Sequence, residues 1–239
     1  MCIFKDKTSK EKIFKEMTSK EIYDLLNNSI LHSMGKIEFE LAGTKVTIKT
    51  TDTVGNSIQN WLGGWFHKNN IYYDEPENTQ EFPDFYLSKE NKLASMLEVK
   101  AFRYEASPAF DIANYESYVK SISEKPYRLF ADYLIFGYSM DDNTGYIEIK
   151  KIWLKKIWEI AGSSERYALN TQVKKNVIYN IRPNGKFKTD QKGPFANKEQ
   201  FLKAIYQTQE KYRGKESADA WKNEIKNSYR SYYGSDLNI

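Results

Sequence analysis

A mixed α/β fold is predicted for this chain by three observations. Apolar residues switch between helical and alternating spacing along the sequence, and the central elements follow in the order helix, strand, strand, helix, strand over about residues 54–139. The 239 residues, 15% of them aromatic, also suffice to bury one sizeable core. No linker, repeat or low-complexity tract divides the chain, so residues 1–239 are expected to form a single domain, with 1–17 as a flexible N-terminal extension.

The first helix is expected over residues 18–29, "TSKEIYDLLNNS", where a Thr/Ser cap precedes Ile22, Leu25 and Leu26 at helical spacing. "KIEFELAGTKVTIKT" alternates on both sides of Ala42-Gly43 and reads as an extra N-terminal hairpin. In "TVGNSIQNWLGGWFHKNN", Ile58, Trp61, Leu62, Trp65 and Phe66 fall on one broad apolar helix face. The acidic residues Asp74, Glu75, Glu77 and Glu81 read as a solvated loop, followed by two strands around "SKENK". A helix from about Asp111 to Ser123, with Asp111 as its cap, ends before Pro126. "ADYLIFGYSM" is a buried strand, "DDNTG" a turn and "YIEIKKIWL" a strand running into "KKIWEIAG". "LNTQVKKNVIYNIRP" reads as one further strand, "NGKFKTDQKG" as a basic loop, and two polar helices, about 197–213 and 216–232, close the chain.

The formal charge is only +4, from 36 basic and 32 acidic residues, which excludes a polybasic protein and makes any basic surface local. One Cys (Cys2) and two His exclude a disulfide framework and a Cys/His zinc cluster. No segment is apolar enough for a signal peptide or membrane span, and the expected location is the cytoplasm.

Chemistry concentrates in "EFPDFYLSKENKLASMLEVKAF", residues 81–102. A hairpin turn centred on Asn91 pairs positions whose numbers sum to 182, which sets Asp84 beside Glu98. Alternation places Glu98 and Lys100 on one face, with Val99 pointing the other way into the core. Two adjacent carboxylates repel unless a cation lies between them, and oxygen ligands suit a hard divalent ion such as Mg²⁺. With Lys100 to stabilise developing charge, the arrangement points to phosphodiester hydrolysis.

"PD" at 83–84 and "EVK" at 98–100 in this context resemble the PD-(D/E)XK nuclease superfamily. "VGNSIQNWLGGW", "NTQEFPDFYL", "LEVKAF", "DYLIFGY" and "WLKKIWEI" together look like the NgoBV/NlaIV group of Type II restriction enzymes, a likeness that runs from about residue 18. The resemblance implies a restriction-endonuclease-like core in which Asp84, Glu98 and the Val99 carbonyl bind Mg²⁺ and Lys100 is the catalytic amine. Gln59 stands where a preceding helix often supplies a Glu near the metal, a departure from the family pattern. Cleavage within the palindrome GGNNCC is implied as well.

Residues 145–192 are the expected DNA-recognition region, since Tyr146 to Lys192 holds eleven basic residues against four acidic ones. Asn170, Gln172, Lys174, Lys175 and Arg182 are the candidate base readers, and Arg103, Tyr104 and Ser107 follow the triplet closely enough to approach the scissile phosphate. Trp61, Trp65, Trp153 and Trp158 read as core or interface anchors. The expected partners are double-stranded DNA, a second copy of the chain in a homodimer, and a cognate DNA methyltransferase as genetic companion. The alternatives are a DNA repair or junction-resolving nuclease of the same fold, a catalytically silent DNA-binding protein, and plain edge-strand charges without metal dependence.

Overall fold

The computed structural model describes residues 13–78, 81–189 and 191–239. Residues 1–12, most of the expected extension and Cys2 with them, and Asp190 of the basic loop lie outside the described residues. The rest of that extension is tied down: Lys15 pairs with Ile71 in a parallel bridge, and Met17 packs on the core.

Helix α1 (Ser19–Ser29) starts where the sequence places it, because the Thr18 side chain caps it and Glu21 returns a bond to the Thr18 backbone, closing a capping box. Strands β1 (Met34–Leu41) and β2 (Thr44–Ile48) form the expected hairpin, with Leu41 opposite Thr44 and positive φ at Ala42 and Gly43. Helix α2 (Val54–Lys68) buries Ile58, Leu62 and Phe66. Trp61 departs from the expected broad face: it is 43% exposed at the margin of that face, against Trp65 at 6.2 Å between ring centroids.

The two strands around "SKENK" are unequal. Strand β3 (Phe85–Tyr86) has only two residues, and β4 (Met96–Arg103) has eight. Asp74 of the acidic loop bridges to Tyr86 and pairs with Lys92, and Glu81 pairs with Arg128, so these two acids anchor the loop instead of merely solvating it. Strand β5 (Ala113–Asn114) precedes α3 (Tyr115–Glu124), which begins four residues later than expected. Its cap is Asn114, whose side chain accepts from Ser117 N–H; Asp111 lies upstream and pairs with Arg182.

Strands β6 (Asp132–Met140) and β7 (Tyr146–Lys156) follow, then the single helical turn α4 (Ile157–Ile160). The stretch expected as one strand at 169–183 is a hairpin, β8 (Thr171–Lys174) and β9 (Val177–Ile181). Lys175 and Asn176 both take positive φ at its turn. The basic loop holds a turn of 3-10 helix at Lys186–Thr189 around the buried Phe187. Helices α5 (Lys198–Arg213) and α6 (Lys215–Tyr233) close the chain within a residue of expectation.

Six strands make one mixed sheet in the order β2-β1-β7-β6-β4-β3, in which only β4 and β6 run parallel, joined through α3. A second sheet has the order β5-β9-β8. The large sheet separates two apolar layers. Leu97, Val99, Leu134 and Phe136 face α1 and α2, while Phe102, Tyr133, Ile135 and Trp153 face α3, the second sheet and the C-terminal helices. The Trp221 indole N–H donates to the Val119 carbonyl at 3.0 Å, fastening α6 to α3. Among the described residues no helix is long and apolar enough to cross a membrane.

Candidate active site

The observed register pairs Phe85 with Leu97 and Tyr86 with Met96, sums of 182 in both cases, so Asp84 stands opposite Glu98. The β3 ladder stops there. On the open edge beyond it, the Asp84 carboxylate replaces a neighbouring backbone: its Oδ2 accepts the Val99 N–H at 2.6 Å. The N–H and C=O of one strand residue point to the same side, so the Val99 carbonyl shares that edge with Asp84. Lys100 Nζ lies 2.9 Å from Glu98 Oε1, with 20% and 11% of the two side chains accessible. Glu98 and Lys100 project into the layer that holds Phe102, and Val99 projects into the opposite one.

The electrostatics follow from this crowding. Burial, then the charge on Glu98, raises the Asp84 carboxyl from 3.8 to about 7, against the lowering effects of the Val99 N–H and Lys100. Burial opposes the Lys100 charge, but Glu98 and Asp84 outweigh it and raise its pKa. In the absence of a cation, two carboxylates here would carry one negative charge more than Lys100 compensates, which favours the protonated form of Asp84.

The donor set suits a hard divalent cation: two carboxylates and a backbone carbonyl, all oxygen, with Lys100 beside them. No group of three or more His, Cys, Asp or Glu side chains converges among the described residues, so a bound ion here would keep several waters. Gln59 is half-buried one turn before Gly63, the point where α2 passes Phe85, which puts it on the side of α2 nearest β3. Among the described residues no hydrogen bond joins Gln59 to Asp84, Glu98 or Lys100.

The expected DNA contacts fall into two groups. Arg103 is engaged within the protein, by the Met140 carbonyl at 2.8 Å and Asp142 at 3.1 Å. The Arg182 fork is taken by Asp111 and the Ala109 carbonyl, so a base contact would require it to leave both. Tyr104 stacks on Trp153, and its carbonyl accepts from Lys188. Asn170 lies against Gly162 and the Pro183 carbonyl, and Gln172 accepts from Asn180 at 3.1 Å. Ser107 is exposed. Lys174 and Lys175, by contrast, stand exposed at the tip of the β8–β9 hairpin beside Val177 and Tyr179.

Two residues that no motif signals shape the site. Arg128, only 12% exposed, bonds Ser121 and Glu81 at 2.7 Å each and lies over the Phe82 ring, which fixes the segment leading into Pro83-Asp84. Tyr133 is the β6 neighbour of Glu98 and points into the same layer. The cleft lined by Lys203, Tyr206 and Lys222 lies on the C-terminal helices, and the one lined by Glu116, Gln209 and Trp221 lies between α3 and those helices; neither is lined by Asp84, Glu98 or Lys100.

A helix-strand-strand-helix-strand core that sets an Asp opposite a Glu-X-Lys on a short hairpin defines the PD-(D/E)XK nuclease fold. Residues 16–239 match the family described as NgoBV restriction endonuclease, and the chain belongs to that family. It is 42% identical over 229 residues to the Type II restriction enzyme NlaIV of Neisseria lactamica, covering 94% of each chain. To the Type II restriction enzyme NgoBV of Neisseria gonorrhoeae it is 43% identical over 167 residues, 67% of this chain and 91% of the other. The solved NlaIV restriction endonuclease superposes with a TM-score of 0.86 at 41% identity, over 95% of this chain and 94% of that one. The chain is thus a Type II restriction endonuclease, a site-specific hydrolase acting on DNA, rather than a repair or junction-resolving nuclease.

Proposed function

We propose that this restriction endonuclease hydrolyses phosphodiester bonds of double-stranded DNA with Mg²⁺ as cofactor, within the palindrome GGNNCC, as a cytoplasmic homodimer accompanied by a methyltransferase of the same specificity. The observation that carries the metal reading is the Asp84–Glu98 pair on an open strand edge, with the Val99 backbone and Lys100 alongside. Asp84, Glu98 and the Val99 carbonyl hold the ion. Bound there, Mg²⁺ supplies Lewis-acid polarisation of the scissile phosphate. The Lys100 ammonium faces the charge that develops on the phosphate and stabilises it. Asp84 must give up its proton to hold the cation, so the proton and Mg²⁺ compete, and Mg²⁺ affinity is expected to rise as pH approaches about 7.

The β8–β9 hairpin is the element that reaches for DNA. Arg182, just past β9, holds Asp111, and Asp111 lies within electrostatic reach of Lys100. The five residues of β9 carry the chain from there to Lys174 and Lys175, roughly 17 Å at strand rise, and a two-stranded ribbon fits the major groove. Lys174 and Lys175 contact DNA at the hairpin tip. Gln172, Asn170 and Arg182 support the hairpin and read bases only where they exchange their internal partners for a base edge. Arg103, Tyr104 and Ser107 line the approach after the triplet, and Gln59 stands beside the ion.

The test is incubation of the purified protein with a long unmethylated duplex, with Mg²⁺ and with chelator, followed by mapping of the ends. Discrete fragments formed only with Mg²⁺ and ending within GGNNCC are expected. Ends within another palindrome would overturn the specificity alone. Binding without cleavage under both conditions would overturn the catalytic assignment of Asp84, Glu98 and Lys100.

A further inference from the structure

Tyr133 is 1% exposed, and its hydroxyl has no hydrogen-bond partner among the described residues. Leaving a buried hydroxyl unpaired carries a desolvation penalty that Phe at the same position would not. Tyr133 shares this state with Tyr115 and Tyr118, and differs from them in standing beside the carboxylates of the site.

The surroundings name an acceptor. Glu98 and Tyr133 are register partners on the parallel strands β4 and β6, and Asp84 stands opposite Glu98 from β3. The three side chains therefore form one row across the sheet, about 4.8 Å from strand to strand. Phe82, two residues before Asp84, closes the far side of the Tyr133 ring at 6.4 Å between centroids. The ionisable groups within electrostatic reach of the phenol are Tyr118 of α3, Glu98 and Asp84. Tyr118 is itself a buried hydroxyl, and among the described residues it has no hydrogen-bond partner and no carboxylate perturbs it. Glu98 Oε1 is taken by Lys100, and Oε2 is the acceptor that remains. An orphaned donor and a carboxylate pair short of donors thus meet on one face of the sheet.

We infer that Tyr133 is a positioning residue of the site: with the cation bound, its hydroxyl donates to Glu98 Oε2, directly or through one water, and fixes the carboxylate in its ligating orientation. This inference rests on the proposed Mg²⁺ function. The phenol keeps its proton throughout, because burial first, then its neighbours, pushes it well above the ordinary tyrosine range.

Tyr133→Phe keeps the ring and its packing against Phe82, and Tyr118→Phe removes the comparable hydroxyl that no carboxylate perturbs. Two readouts are compared with the wild type, the Mg²⁺ concentration at half-maximal thermal stabilisation and the pH at half-maximal cleavage. Removing a group that orients a metal ligand lowers metal affinity on the order of 10–100-fold. The expected result is a rise of about tenfold in the Mg²⁺ midpoint for Tyr133→Phe, an alkaline shift of its pH profile, and no change for Tyr118→Phe. Unchanged midpoints and profiles for Tyr133→Phe, or equal shifts in both variants, would overturn the inference, as would lost stability in chelator with an unaltered Mg²⁺ midpoint. A wild type that neither gains stability nor cleaves with Mg²⁺ would remove the metal-dependent reading first, and this inference with it, an outcome distinguished by appearing before any substitution is made.

Discussion

Asp84→Asn should stabilise the metal-free protein while abolishing its response to Mg²⁺. The folded state holds the Asp84 proton more tightly than the unfolded chain does, about 7 against 3.8. Between those values the folded protein binds more protons, so stability falls as pH rises, and the cost is fully developed above about pH 7. Each tenfold in proton affinity is worth about 1.4 kcal/mol, so the ceiling is about 4 kcal/mol at pH 8.5. Relaxation of the surroundings and water entry reduce this, and about half of it, about 2 kcal/mol, is expected. Asn removes the charge yet keeps a carbonyl oxygen for the Val99 N–H. In a chain of this size, about 2 kcal/mol corresponds to a Tm rise of about 4–8 °C. The assay is thermal unfolding in chelator at pH 6 and pH 8.5, repeated with Mg²⁺. At pH 6 the unfolded chain has already lost the proton that the folded state keeps, so about two thirds of the cost is present and the variant should lead there too, by about 1.4 kcal/mol, with the two proteins coinciding only below about pH 4. With Mg²⁺ at 100 times its Kd, the wild type gains about 2.7 kcal/mol that the variant forgoes, so the order of stability inverts. A variant no more stable than the wild type at pH 8.5 in chelator, or one whose gain is larger at pH 6, would refute the assignment of a costly buried charge to Asp84.

Three further outcomes are expected. Lys100→Met should slow single-turnover cleavage by about 10²–10³ while leaving DNA binding in chelator nearly intact, and equal losses in both would place Lys100 in binding. Replacing Lys174 and Lys175 by Ala should flatten the dependence of log affinity on log salt by about 0.9 for each phosphate no longer neutralised, about 1.8 in total, which a salt titration of duplex binding reads directly. Gly137→Ala should cost about 1–3 kcal/mol in urea unfolding, because a Cβ there would lie 2.8 Å from the Trp153 ring and 3.0 Å from the Tyr104 ring; an unchanged midpoint would show that the stack yields freely.

The local side of this molecule is legible in its sequence where residue chemistry decides conformation. Thr18 and Glu21 announce a capping box, Ala42-Gly43 a two-residue turn, and the turn after Tyr86 sets the register that brings Asp84 to Glu98. The β8–β9 hairpin reads as one strand in the sequence because its turn is Lys175-Asn176, and a lysine at positive φ carries no signal comparable to a glycine. The start of α3 is ambiguous in sequence because Asp111 and Asn114 are both good caps, and the pairing of Asp111 with Arg182, 71 positions away, decides between them. Trp61 reads as internal because periodicity marks the width of an apolar face but not how much of it a neighbouring layer covers.

By itself the sequence determined the core order and the convergence of Asp84, Glu98 and Lys100, because strand alternation and a short turn are local geometry. Only the tertiary structure decided that Tyr133 lies beside Glu98, that Arg128 clamps the approach to Asp84, and that the forks of Arg103 and Arg182 are occupied. Those contacts join residues tens of positions apart across the parallel β4–β6 pair and between the two sheets. Their formation depends on how helices and sheets pack, a property of the whole core that no short window of residues encodes.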